Sequence, residues 1–238
     1  MKTRGYTLIE LMIVVAVIAI IASIAIPNLL SARQTAHETA ALGTLRTVVS
    51  AQTQIQTRGA IDMDGDGTGE FAYFAELAGT VPLRAPPAAP AVILTPPQLS
   101  GSLGIVDGNG YVNKLGYYFC MYIAGNNLQP WPEQPGGGDG GAGAGWLGVG
   151  QGCDPSENYW NCYAWPVAMN GTGNRAFMCN QSGDVLQTSN QVQRYTSTTN
   201  PPAPLAAYAN TAIDMSGVLS LRGNPAPAND GGLWIVCN

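Results

Sequence analysis

An apolar run from Tyr6 to Ile26, broken by a single charge at Glu10, constrains this chain more than any other feature. At about 1.5 Å of rise per residue, those 21 positions make a helix of roughly 32 Å, about the hydrocarbon thickness of a bilayer. Lys2 and Arg4 precede the run and stop at Gly5. A secretory signal has its cleavage site after the apolar region, next to small residues. Here the apolar region reads as a piece that the mature protein keeps. Glu10 is what a simple anchor does not explain. A carboxylate in a membrane helix costs about 2.5–3.5 kcal/mol, so it needs a partner. A cut after Gly5 would place a new positive amino terminus on Tyr6, about one helical turn from Glu10. That amine could pair with Glu10 of its own chain or, better, of a neighbouring one. The alternative is a Glu10 at headgroup level that is simply solvated.

The pattern K-x-R-G-Y-T-L-I-E-L, followed by the apolar run and by Pro27, resembles the prepilin leader of type IV pilins and type II secretion pseudopilins. The resemblance implies a membrane prepilin peptidase that cuts between Gly5 and Tyr6 and methylates the new amine on Tyr6. Glu10 would then register subunits during assembly, and Pro27 would stand at the family's helix-kinking proline. Tyr6 departs from the usual first residue, Phe. No glycine lies between Met12 and Ile26, where many pilins carry one. The implied partners are further copies of the chain, other pilins and an inner-membrane assembly machinery. The implied location is the bacterial inner membrane as precursor, then an extracellular filament or a periplasmic pseudopilus. The implied function is that of a structural filament subunit; a pseudopilin acting as a secretion piston and a minor pilin displaying a binding module are the alternatives.

The fold class expected is α+β: a long amino-terminal helix, transmembrane in its first half, packed on a small antiparallel sheet in the manner of a pilin. The expected division is a leader at 1–5, a membrane or filament-core helix at 6–27, its amphipathic continuation at 28–57 and a head at 58–238. Beyond Pro27, Leu42, Leu45, Val48, Val49, Gln52 and Ile55 recur at mostly three- and four-residue steps. The helix is therefore expected to run from Tyr6 to about Thr57, roughly 75 Å, with Pro27 kinking rather than ending it. Its outer half should hold the sheet, leaving the inner half for lipid or other subunits. His37 and Glu38 lie on this stalk, and contact with solvent or another subunit is the expectation for His37.

Asp62-Met-Asp64-Gly-Asp66-Gly-Thr68-Gly-Glu70 resembles the first half of an EF-hand calcium loop, whose oxygens converge on a hard cation. Asp62, Asp64 and Asp66 match its first, third and fifth positions, the Thr68 carbonyl its seventh and Glu70 its ninth. The twelfth position is Tyr73, so the bidentate glutamate is missing, and Glu76 would replace it only if the loop closed differently. The competing reading is a solvated acidic turn that joins helix to head. Three clustered aspartates repel one another, and a weakly bound Ca2+ would relieve that.

Phe71–Leu77 reads as a short amphipathic helix, and the Pro/Ala-rich stretch 79–104 as a linker or packed crossover. Strands are expected at 116–124, 159–169, 175–180, 185–187 and 232–237, an antiparallel meander of three to five strands with one face on the helix. Asn170-Gly-Thr-Gly173 should close a hairpin. Trp131, Trp160, Trp165, Tyr117 and Tyr118 are expected in core and rim packing, with a surface-binding aromatic patch as the other reading. The Gly-rich stretch 136–152, Thr188–Pro204 and Asn224–Gly232 are expected as surface loops.

Cys120, Cys153, Cys162, Cys179 and Cys237 all follow the apolar segment, and an exported head would oxidise them. Five cannot all pair within one chain; Cys237 with Cys179 is the expected bridge, and small buried thiols are the alternative. With 10 basic and 15 acidic residues, and Lys114 the only lysine left after a cut at Gly5, phosphate neutralisation of nucleic acid is a poor fit. There is one histidine, and no P-loop, H-E-x-x-H or nucleophile elbow, so enzymatic chemistry is not expected.

Overall fold

The computed structural model describes residues 5–86, 89–125, 127–137, 154–221 and 227–237. The leader residues before Gly5, most of the Gly-rich stretch and Cys153 lie outside them. Helix α1 runs Leu8–Arg58 without a break at Pro27. Thr7 starts it as N-cap, and Gly59, in the left-handed region at φ 57°, ends it by donating its amide to the Gln56 carbonyl (3.0 Å). The expected helix thus begins two residues later and ends one residue later than its sequence limits.

The buried side of α1 is confined to its outer part: Ala41, Thr44, Leu45, Val48, Ala51, Gln52 and Ile55. Three- and four-residue steps put these on one stripe, as the periodicity predicts. Gln52 is fully buried on that stripe and acts as a surrogate strand. Its Nε2 donates to the Ala72 carbonyl (2.7 Å) and its Oε1 accepts from the Ala72 amide (3.0 Å). A buried backbone pair is thereby satisfied by a side chain.

The head carries an antiparallel sheet of strands β1 (Val112–Lys114), β2 (Tyr117–Ala124), β3 (Pro130–Pro132), β4 (Trp160–Pro166), β5 (Ala176–Asn180), β6 (Val185–Thr188) and β7 (Trp234–Val236). The order is β1-β2-β4-β5-β6-β7, with β3 pairing the far end of β2. The meander is therefore larger than three to five strands; β1 and β3 are three-residue pieces without a run long enough to read. The hairpin at Asn170–Gly173 is present, closed by the Asn170 amide on the Gly173 carbonyl (3.1 Å).

One face of the sheet packs on α1 through Phe119, Met121, Cys162, Ala164, Phe177 and Cys179. The other face is covered as well. Tyr195, Ala206, Ala207, Tyr208, Met215 and Ala228 close over Tyr163, Trp165, Met178 and Trp234. Of the stretches expected as surface loops, 188–204 contributes Tyr195 and 224–232 contributes Ala228 to this covering, while 224–226 lie outside the described residues. The signal was in the strands: β4 is buried at every position and β2 at all but Tyr118, and such near-continuous apolar runs belong to strands covered on both sides. Of the aromatic residues weighed for a surface patch, Trp160, Trp165 and Tyr117 are buried, and Trp131 is exposed.

Phe71–Leu77 is helical only at Phe74–Leu77 (α2), and it is buried all round rather than amphipathic. Glu133 reaches its start from the end of β3, accepting the Phe74 (3.1 Å) and Ala75 (2.9 Å) amides. The Pro/Ala-rich stretch is a packed crossover: Leu83, Arg84, Leu94, Leu99 and Leu103 are buried. Arg84 meets the fully buried Glu76 at 3.0 Å, and its guanidinium lies 5.1 Å from the centre of the Tyr73 ring. Burial alone would lower the Arg84 pKa; the neighbouring Glu76, Tyr73 and Glu70 outweigh it and hold it raised.

Candidate functional site

Every large apolar side chain from Tyr6 to Leu30 is exposed, from Leu8 (73%) to Leu30 (50%). This part of α1 is long and apolar enough to cross a membrane, and no part of it is buried in the head. In water such a surface would aggregate; it needs hydrocarbon or other helices around it.

At its start Glu10 is committed locally. Its Oε2 accepts from the Thr7 amide (2.8 Å) and the Thr7 hydroxyl (2.8 Å), while the Thr7 Oγ1 accepts from the Glu10 amide (3.2 Å). This is a capping box, which satisfies helix-end donors that hydrocarbon would leave unpaired. The sequence carries its signature, Thr7-Leu-Ile-Glu10, so the nearest partner of Glu10 is local and neither the amine nor headgroup water. Glu10 Oε1 takes no part in the box. Tyr6 is 93% exposed just outside the helix, beside Gly5.

The same half-helix carries the family match. Residues 1–26 match the prokaryotic N-terminal methylation motif. The chain carries a prepilin-type amino terminus. It is 49% identical over 55 residues to the type IV wide pilus major component PilA4 of Thermus thermophilus, spanning 23% of this chain and 42% of that one. It is 47% identical over 51 residues to the type IV major pilin protein PilA of Myxococcus xanthus, spanning 21% of this chain and 23% of that one. The chain thus spans less than half the length of these pilin relatives. No solved structure matches it.

On the stalk beyond the prepilin-type segment, Glu38 accepts the Asn174 (2.8 Å) and Arg175 (3.3 Å) amides and lies 3.6 Å from the Arg175 Nε. Gln34 donates to the Asn170 carbonyl. The β4–β5 hairpin is therefore tied to α1 where the naked half gives way to the packed half. His37 is half-buried nearby.

The acidic loop winds around its first aspartate. Asp62 accepts the Gly65 (2.7 Å) and Gly67 (3.2 Å) amides, and Asp66 accepts the Thr68 amide (2.6 Å). Asp62, Asp64 and Asp66 bring carboxylate oxygens within 4.8 Å of one another. Glu70 is in neither of the acidic triads: it is fully buried, with Oε1 on the Met63 amide (2.9 Å). Glu76, likewise, is taken by Arg84. A second triad joins Asp64 to Asp154 and Glu157 of helix α3 (Asp154–Asn158). Burial, then Asp66, Asp64, Asp154 and Glu70, push the Glu157 carboxyl up to about 7. Nothing near Asp154 in the sequence marks it as a partner of the loop; only the fold does.

Cys120, Cys162, Cys179 and Cys237 are free thiols. The expected Cys237–Cys179 bridge is not formed. Cys237 is anchored instead through its amide on the Val185 carbonyl (2.8 Å). The residue directly across from Cys179 is Cys162 on β4, and burial, then the Cys179 thiol, hold the Cys162 thiol well above its usual range. Cys120 packs on the opposite face, where burial pushes it up to about 12.

Proposed function

We propose that this chain is a structural subunit of a type IV pilus-like filament, stored in the inner membrane and cut between Gly5 and Tyr6 before assembly. The observation that carries the reading is a continuous helix whose prepilin-type half is entirely naked while its other half is locked into a head. Lateral packing of naked halves from many copies buries that surface, at roughly 25 cal/mol per Å² of apolar area if water is the reference. In lipid the drive shifts to helix–helix packing and polar pairing. There Glu10 matters twice: Oε2 closes the capping box, and Oε1 is left for the methylated Tyr6 amine of an adjacent subunit.

The test separates the two roles. Glu10→Gln keeps an N3 acceptor for the box but removes the charge; Glu10→Ala removes both. Both variants should insert in the membrane and leave filament number sharply reduced, as counted by electron microscopy of the native host. Normal filaments from Glu10→Gln would remove the ion-pair role and leave capping alone. Mass spectrometry of the amino terminus should find methylated Tyr6; an intact Met1 would end the reading. Short periplasmic assemblies in place of surface filaments would assign the chain to a pseudopilus.

A further inference from the structure

We propose that the head binds one divalent cation of the calcium type in a composite site, with Asp64 shared between Asp62 and Asp66 of the acidic loop and Asp154 and Glu157 of α3. Two carboxylate triads meet at Asp64, and within each the oxygens lie within 4.8 Å of one another. Such crowding of negative charge is unfavourable without a counter-ion. None of the five residues is in an ion pair among the described residues.

Glu157 supplies the independent observation. It is 7% exposed, its carboxylate is one corner of the second triad, and its Oε1 has no hydrogen-bond partner among the described residues. A buried carboxylate oxygen left without a partner is costly, and a bound cation is the partner that a ring of carboxylates can share. The chain also builds the approach of the two segments. The Phe71 amide donates to the Ser156 carbonyl (3.1 Å), and Gln56 Nε2 at the end of α1 donates to the Glu157 carbonyl (2.6 Å). Gly69 lies so close to the Gln56 carbonyl that a Cβ there would collide with it. The loop is thereby pressed between the end of α1 and α3.

The donor set chooses the ion class. Both triads are all carboxylate, without His or Cys, which favours a hard cation over zinc. Exposed Asp66 and Asp154 leave sides open to water ligands. The site differs from a self-contained EF-hand loop in its closing residue. The missing twelfth-position glutamate is supplied by a distant helix, while Glu70 is spent on the Met63 amide. Bound calcium would lock the exit of the stalk helix to α3. This inference concerns the head alone and stands or falls apart from filament assembly.

The experiment uses the full chain in detergent, stripped with chelator and titrated with calcium chloride by calorimetry, with melting temperature followed in parallel. The expected result is one ion per chain, with a dissociation constant of about 0.1–1 mM as in extracellular modules. Melting temperature rises and the rise is reversed by chelator. Glu157→Gln and Asp154→Asn should each weaken binding by about tenfold or more. Asp107→Asn, in an acidic turn elsewhere, should leave it unchanged. If Glu157→Gln does not fold, the exposed Asp154→Asn decides. Absence of calcium-dependent heat and melting shift overturns the site; full affinity retained without Asp154 or Glu157 overturns its composite nature.

Discussion

The two halves of α1 share one backbone and obey different solvents. From Leu8 to Leu30 the side chains are apolar on every face apart from Glu10, Ser23 and Asn28, and none of the large apolar ones is buried. From Ala41 to Ile55 only one stripe is buried, and the rest carries Arg46, Thr47, Thr53 and Gln54 outward. The outer half is held by tertiary packing, which supplies most helical stability in a water-soluble setting. Among the described residues nothing buries the inner half, so its environment must supply that stability. The difference teaches that a mutation's effect should depend on which half it strikes, and the two effects should be separable by assay.

The largest expected effect is in the packed half. Leu45 is fully buried between α1 and the sheet. Leu45→Ala should destabilise the head by about 2–5 kcal/mol through lost transfer energy and a residual cavity. Thermal unfolding in detergent, followed by circular dichroism, measures this. A loss below about 1 kcal/mol would show that α1 is not the floor of the head core.

Next is a pH effect where the packed half meets α3. Glu157 has a folded pKa of about 7, above its ordinary 4.5. A carboxyl raised on folding contributes stability that is present below about 4.5 and is lost as pH rises through about 7. The groups facing it are Asp66, Asp64, Asp154 and Glu70, with the neutral Gln56 reaching its backbone from α1. In chelator, Glu157→Gln should melt higher than the parent at pH 8, with the gap shrinking towards pH 5. A gap constant across that window would mean that Glu157 is solvated rather than buried.

A smaller effect belongs to the junction of the halves. Glu38→Ala removes two amide acceptor bonds and one ion pair whose Arg175 side chain is 55% exposed. The expected loss in head stability is about 0.5–1 kcal/mol, since exposed pairs contribute little. Hydrogen exchange at Asn174 and Arg175 should speed up, because their amides lose their acceptor. Unchanged exchange there would detach the hairpin from the stalk.

The sequence made the boundary between the halves readable because each side has its own periodicity. An apolar run without a polar face needs no tertiary information to interpret, and neither does a three-and-four stripe. The strands β2, β4, β5 and β6 were readable for the same reason. What escaped were features that depend on chain segments meeting. The second covering of the sheet comes from Tyr195, Ala206, Ala207, Tyr208, Met215 and Ala228, in an Ala- and Pro-rich stretch whose burial rests on which face it lands on. Glu133 capping α2, Glu38 holding the hairpin and Glu157 facing the acidic loop are all carboxylates that look solvated in one dimension. Each acquires its role from a partner far along the chain, which no local spacing records. The capping box at Thr7 and Glu10 is the opposite case, local and legible.

The smallest expected effect is the one that sharpens the comparison most. Ile18 is 59% exposed at the middle of the naked half. Ile18→Ala creates no cavity in the head, so the head's melting in detergent should shift by less than about 0.5 kcal/mol, the usual range for surface positions. The same substitution trims a packing surface in any assembly of these helices, so filaments carrying it should break or dissolve more readily than the parent under heat or detergent. A shift in head stability as large as that of Leu45→Ala would mean that the halves are coupled through the helix and are not two regions at all. Filaments of unchanged toughness would move the subunit interface away from this face of α1. Only when the head is indifferent and the filament is weakened does one continuous helix serve two separate packing problems.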